Sequence, residues 1–477
     1  MAERVSKRFT RRDLLELGAK GSAVGALAAA GVGLSQTPAA AVPSTPGRQR
    51  RQAPMINAQS QVKLTLYGWY LPSEPVFKKI TDAFTQEFPN ITVDVVIPNQ
   101  YIMDQLKVEF AAGRGPDVTC MNTPSGIPWI QRGAFLPLQD LVTSDATYAE
   151  NLKALVPWTV EAYSQSGILY GTPITAESTT IFYNEDLVTQ AGLPSFAEIE
   201  NDPAQWNWDK LREYATAINK GTDDGPDRIY GIHSLGGLQV VWLNFVYGNG
   251  GEYLSPDGLK CNIAQQPAVD ALKYLYNLRY THNVASPPDP FIQGQGMDSA
   301  ALFQSGRLGI HPWGEWQIAV YNGFNENQGL PFAWNIAQPP FSPTGKRSAV
   351  SHSVAVVVNK NTKHPAESFE FVKFMARPEV QGWISSEGWG SLSAHPGTYD
   401  SWLNDPKAPK NRQAIIASQA YGRPYPNCPV LETAEVQDPL NSILHEQIWY
   451  GERDLAEGLK EIEDSTNDLI EQAKAGS

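Results

Sequence analysis

The sequence predicts an α/β protein built as two lobes. Residues 62–121 alternate strand, helix, strand, helix and strand, an order that predicts a parallel sheet with helices on its faces. The later chain repeats this alternation without any short internal repeat. At 477 residues and 42% hydrophobic content there is enough apolar material for about two or three cores of ordinary size, and two α/β lobes fit that length better than one sheet.

Val62–Tyr67 alternates and is rich in β-formers, which predicts the first strand. Glu74–Glu87 places Val76, Phe77, Ile80, Ala83 and Phe84 at helical spacing, with Pro75 suited to a first turn. Pro89-Asn90 ends that helix, and Ile91–Ile97 reads as a second strand. Tyr101–Ala112 is a second amphipathic helix closed by Gly113, and Asp117–Met121 a third, short strand. Farther on, Ile181–Tyr183 and Ala355–Val358 read as strands. Trp208–Lys220, Gln266–His282, Pro365–Ala376 and the acidic Leu455–Lys474 read as helices. Ile229–Gly251 lacks charge but is too polar and too broken by glycine for a membrane span, so a buried helix around Leu238–Tyr247 is expected.

Residues 1–41 read as an address rather than as fold. Lys7-Arg8-Phe9-Thr10-Arg11-Arg12-Asp13-Leu14-Leu15 sets paired arginines before leucines. An uncharged, Ala- and Gly-rich stretch follows, with Ala39-Ala40-Ala41 as a small-residue cleavage site. This order resembles a twin-arginine export signal, with Leu14 in place of the commoner Phe. Residues 42–61 have linker composition. The protein is therefore expected to be exported to the periplasm or the cell surface. No lipidatable Cys follows the apolar stretch, so membrane contact is expected only through the signal or a membrane partner. The net charge of −13 and the lack of a basic stripe in the body argue against nucleic acid. Cys120, Cys261 and Cys428 are far apart and odd in number, which predicts buried single thiols instead of a disulfide framework.

Several pieces together resemble the extracellular solute-binding proteins of sugar ABC transporters, the maltose-binding-protein-like family. They are Leu64–Trp69, Phe84–Val93, Ala111–Val118, Gly133–Leu138, Tyr170–Pro173, Phe182–Leu187, Phe303–Ile310 with Trp313–Trp316, and Ser368–Met375, and they span nearly the whole of 62–470. The resemblance implies two discontinuous α/β lobes with a ligand cleft between them, the type II periplasmic-binding-protein arrangement. Lobe one would comprise 62–174 plus 353–405, and lobe two 175–352 plus 406–477. It further implies a monomer that closes on a carbohydrate, in particular an oligosaccharide, and docks on the transmembrane subunits of an ABC permease, with no cofactor and no metal.

A sugar offers an apolar face to aromatic rings and a hydroxyl rim to carboxylates, amides and imidazoles. Trp316 aligns with the family's stacking tryptophan, and Trp313 is the alternative; core packing is the competing role for both. Glu177 lies seven residues before Asn184, where the family carries a cleft glutamate; a solvated turn residue is the competing reading. Trp69 and Tyr70 follow the first strand, and Asn122 and Ser125 the third, at the strand ends where open α/β sheets meet ligands; ordinary loop capping competes. Glu315 is read either as a hydroxyl partner or as facing water. His352 is placed at the second crossing, Trp389 at the cleft mouth, and Trp242 in the cleft or in a core helix. No HExxH, GxSxG, P-loop, GxGxxG after a strand or EF-hand loop occurs. A secreted glycoside-active enzyme using cleft carboxylates such as Glu177 and Glu315 is the alternative function, and a non-enzymatic surface scaffold is a third.

Overall fold

The computed structural model describes residues 61–68, 74–97, 102–289, 298–323, 329–386, 390–407 and 409–476. Residues 1–41, where an export signal is expected, nearly all of the expected linker, and Trp69, Tyr70 and Trp389 lie outside the described residues. In chain order the elements that frame the site are β1 (Val62–Tyr67), α1 (Glu74–Glu87), β2 (Ile91–Val96), α2 (Ile102–Ala111), β3 (Val118–Asn122), α3 (Thr123–Gln131), β4 (Gly171–Pro173), β5 (Glu177–Asn184), α4 (Trp208–Ile218), β6 (Tyr230–Ile232), α5 (Gln266–Tyr280), α6 (Ser299–Gln304) and β7 (Leu308–Gly314). They continue as β8 (Trp334–Ala337), β9 (Ala349–His352), β10 (Val354–Val358), α7 (Pro365–Met375), α8 (Pro378–Ser386), β11 (Gly422–Pro424), α9 (Thr433–Leu440) and α10 (Leu455–Gly476). Every strand and helix expected from periodicity is present, with ends shifted by a few residues. The uncharged stretch forms a π turn over Leu238–Trp242 that runs into a short helix, Leu243–Gly248.

Two sheets organise the chain. The first has the order β2-β1-β3-β10-β4. Its β1, β2 and β3 run parallel, as the strand–helix alternation requires, and β10 is inserted antiparallel between β3 and β4. β10 is Val-Ala-Val-Val-Val with both faces buried, the continuous apolar run expected of a central strand. β2 lies at the edge and alternates between core and solvent. The second sheet has the order β11-β9-β5-β7-β6, with β8 also paired to β5. All eight residues of β5 are buried. Ile181 and Tyr183 enter one apolar cluster and Phe182 another, so β5 carries a core on each face.

Helix α1 buries Val76, Phe77, Ile80 and Phe84 on the first sheet. Phe84 meets Phe371 of α7 edge to face, 5.1 Å between ring centres. Tyr399 and Trp402 precede residue 405, where the third crossing is expected, yet they pack with Phe303 and Trp334 on the second sheet. The three cysteines are free and buried, and burial raises the thiol pKa of Cys120 and Cys261, the latter to about 12. Among the described residues no helix is long and apolar enough to cross a membrane.

Helix α4 lies hard against β6 because Gly231 offers no side chain. A Cβ there would fall 1.9 Å from the Ala215 carbonyl oxygen, a backbone atom that cannot rotate away. Gly231→Ala is expected to destabilise the fold by roughly 2–3 kcal/mol in chemical denaturation. Gly225→Ala, where a Cβ meets nothing within 4 Å, should stay within about 0.5 kcal/mol of the parent.

Candidate functional site

The site grows from the place where the chain passes between the two sheets. Three crossing segments meet there: Ile174–Ala176, Ser353–Val354 and Leu392–Ala394. Ile174 N donates to Val354 O at 2.8 Å, Ala394 N to Ile174 O at 3.1 Å and Ala176 N to Leu392 O at 2.9 Å. Side chains add to the lattice. Ser353 Oγ donates to Thr175 O at 2.7 Å, and Thr175 Oγ1 accepts from Val354 N at 2.8 Å. Thr175, Ser353 and Ser393 are fully buried, so these small hydroxyls satisfy backbone groups that water cannot reach, while the equally buried Ser391 lies beside the Glu177 carboxyl.

Glu177 begins β5, directly after the first crossing, and pairs in register with His352 at the end of β9. It is buried and does not face solvent as a turn residue would. Burial raises its carboxyl to about 7, a shift that the Ser391 and Thr175 hydroxyls only partly offset. Glu315 follows β7 and is fully buried, so it does not face water. Its Oε1 accepts from Leu392 N at 2.7 Å and its Oε2 from Ser178 N at 3.2 Å. Burial holds Glu315 well above the usual carboxylate range, and the charge of nearby Glu177 adds to this. Glu315 thus joins the first crossing to the third. With a backbone amide on each oxygen, its position is fixed by main chain from both sides.

Trp316 folds back over Gly314: a Cβ on that glycine would sit 2.1 Å from the indole. His352 meets the indole edge to face with 5.4 Å between centres. Burial holds His352 down to about 3, so the imidazole is neutral, and its Nε2 is buried without a hydrogen-bond partner. Trp316, His352, Glu177 and Glu315 therefore converge at the crossing end of the second sheet. Trp313, three residues before Trp316 and on β7, is half-buried and stacks on His311 at 4.9 Å and 28°. Across the crossing, Asn122 ends β3 and caps α3. Its side-chain oxygen accepts from Ser125 N at 3.1 Å, the capping role that the sequence allowed, and Ser125 is buried.

Trp242 is fully buried in the apolar core and meets Tyr253 edge to face at 6.0 Å. It takes the core role, packed in the larger apolar cluster of the second sheet. Sequence reasoning missed Ser391, Thr175 and His311. Single hydroxyl and imidazole side chains carry no periodic signal, and each acquires its partner only through tertiary contact. A second bridge ties α9 to α2 and α3. Glu432, which caps α9, pairs with Arg132 and, at 3.2 Å, with Lys107 of α2, while Thr433 Oγ1 donates to the Pro124 carbonyl of α3 at 2.6 Å.

Residues 69–382 match the family of bacterial extracellular solute-binding proteins, and the chain belongs to that family. Among its relatives, a maltodextrin-binding protein of Bacillus subtilis is 23% identical over 417 residues, covering 84% of this chain and 88% of that protein. A mannitol-binding protein of Pseudomonas aeruginosa is 24% identical over 371 residues, 74% of this chain and 78% of that one. An ABC substrate-binding protein of Listeria monocytogenes, solved in complex with cycloalternan, shares the fold with a TM-score of 0.75 at 20% identity, over 86% of this chain and 99% of that one.

The raised carboxyl of Glu177 makes stability depend on pH. The folded form binds a proton that the unfolded chain, with its ordinary value of 4.5, gives up earlier. The contribution of Glu177 is complete below about pH 4.5 and is lost as pH rises through about 7. Thermal melts should therefore show a midpoint that falls between pH 5 and 8. Glu177→Gln should flatten that fall, by an amount on the order of 3 kcal/mol at most.

Proposed function

We propose that this protein is the carbohydrate-binding component of an ABC importer, closing its two lobes over an oligosaccharide and presenting the closed form to a membrane permease outside the cytoplasm. The observation that carries this reading is the convergence of an indole plate, a neutral imidazole and a buried carboxyl, Trp316, His352 and Glu177, at the segments that join the lobes. A sugar ring needs both kinds of surface: a plate for its C–H face and polar atoms for its rim. A crossing between domains is where such mixed surfaces serve small ligands. Family membership and the sugars bound by similar proteins support the reading. The resemblance of residues 1–41 to an export signal supports delivery outside the cytoplasm.

In this mechanism Glu177 and Trp316 belong to lobe two, and Asn122 and Ser125 bring lobe one to the same place. A ligand touching both favours the closed form by the difference in its affinity for the two forms. A Kd of about 1 μM corresponds to about −8 kcal/mol. One or two stacked rings and a few charge-assisted hydrogen bonds supply that after ordering costs.

A thermal-shift screen over mono- and oligosaccharides followed by titration calorimetry tests the proposal. Trp316→Ala should weaken the best sugar by about 10- to 100-fold while leaving the melting midpoint near that of the parent. Unchanged affinity removes Trp316 from the site. Glu177→Gln should also weaken binding. Release of free sugar by the parent protein, lost in that variant, would instead favour the glycoside-active enzyme.

A further inference from the structure

A second polar centre lies on lobe two, apart from Glu177. Residues 284–286 run alongside β6, with Ala285 bridged in parallel to Ile232 and Ser286 N donating to Ile232 O at 2.9 Å. β6 in turn runs parallel to β7. The carboxyl ends of three neighbouring parallel segments therefore lie side by side. Asp289 follows the first, His233 follows the second, and Trp313 stands near the end of the third. In open α/β sheets this edge is where ligands are held.

The polar side chains there are held in place around one carboxylate. His233 is fully buried, with Nδ1 2.8 Å from Ser286 Oγ, which fixes the ring. Its Nε2 lies 3.3 Å from Asp289 Oδ1, yet neither atom makes a well-aligned hydrogen bond. His311 is fully buried, with Nδ1 tied to the Tyr321 hydroxyl at 2.8 Å and Nε2 without a partner. Ser299 Oγ, at the start of α6, faces the same carboxylate. Burial pushes Asp289 up, but the neighbouring His233 and Ser299 outweigh it and hold the carboxyl at about 2, so it is an anion. A carboxylate fixed by His233 and Ser299 yet still partly open, beside the unpartnered buried Nε2 of His311, is a polar centre that a ligand's hydroxyls can complete. Among the described residues no group of His, Cys, Asp or Glu is arranged to hold a metal ion. Asp289 keeps about a fifth of its side-chain surface open, and Trp313 supplies an apolar plate two strand positions past His311.

We infer that Asp289 is a hydroxyl-binding residue for a sugar or polyol, held in place by His233, with Trp313 as its stacking plate: a second station along the same cleft. This inference rests on the carbohydrate reading above and deepens it. Two stations, one at Trp316 and Glu177 and one at Trp313 and Asp289, suit a ligand of more than one ring. Asp289 would accept hydrogen bonds from a pair of neighbouring hydroxyls, and His233 acts through it as a positioning residue.

Titration calorimetry on the full chain, with the best oligosaccharide of the screen and its single-deoxy analogues, tests this. Asp289→Asn should raise Kd about tenfold or more and should abolish the penalty that one particular deoxy position imposes on the parent. His233→Ala should weaken binding through the same deoxy position, and His233→Gln, which keeps an amide donor, should restore part of it. Parent-like affinity and deoxy profile in Asp289→Asn overturn the assignment while the carbohydrate reading stands. A parent protein that binds no sugar of the panel overturns both.

Discussion

The structure depends on the mutual hydrogen bonding of three short crossing segments. Each segment leaves one sheet for the other, and each would carry unsatisfied backbone groups if it crossed alone. Together Ile174–Ala176, Ser353–Val354 and Leu392–Ala394 satisfy one another, and buried serine and threonine hydroxyls supply the rest. Tyr163 reinforces the junction from lobe one, its hydroxyl 2.6 Å from Ser353 O and 2.7 Å from Met121 O. Small side chains suit this place, since they keep the segments narrow while still furnishing donors and acceptors.

Binding chemistry follows from that junction. Glu177, Ser178 and His352 flank the crossings, so the side chains proposed to meet a ligand are one or two residues from the crossing backbone. Glu315 ties Ser178 to Leu392 from the end of β7. The strand that carries Trp313 and Trp316 is thereby coupled to the crossing backbone. Burial makes Glu315 and Glu177 reluctant to ionise, which removes the repulsion that two adjacent anions would create there.

Much of the fold was legible from periodicity. The spacing of Val76, Phe77, Ile80 and Phe84, the alternation of β1 and the apolar run of β10 each reflect one local pattern meeting one buried face. The third crossing was harder to place, because residues 390–405 show no periodicity and their partners, such as Phe303 and Trp334, lie far away in sequence. The site was legible by residue type and by resemblance more than by mechanism. Trp316, Glu177 and His352 converge, but nothing local shows that Glu315 would be sealed by two backbone amides. Nor does anything local separate Trp242, a core residue, from Trp316, half-buried beside His352; both are tryptophans in apolar sequence. Asp289 and His233 come together only because three parallel segments end side by side.

Small-angle X-ray scattering with and without a saturating oligosaccharide, its occupancy verified by calorimetry in the same buffer, tests the central claim most directly. Lobes that close about the crossing segments should give a smaller radius of gyration in the sugar-bound protein. Identical scattering curves with the sugar demonstrably bound would contradict closure as the means of capture.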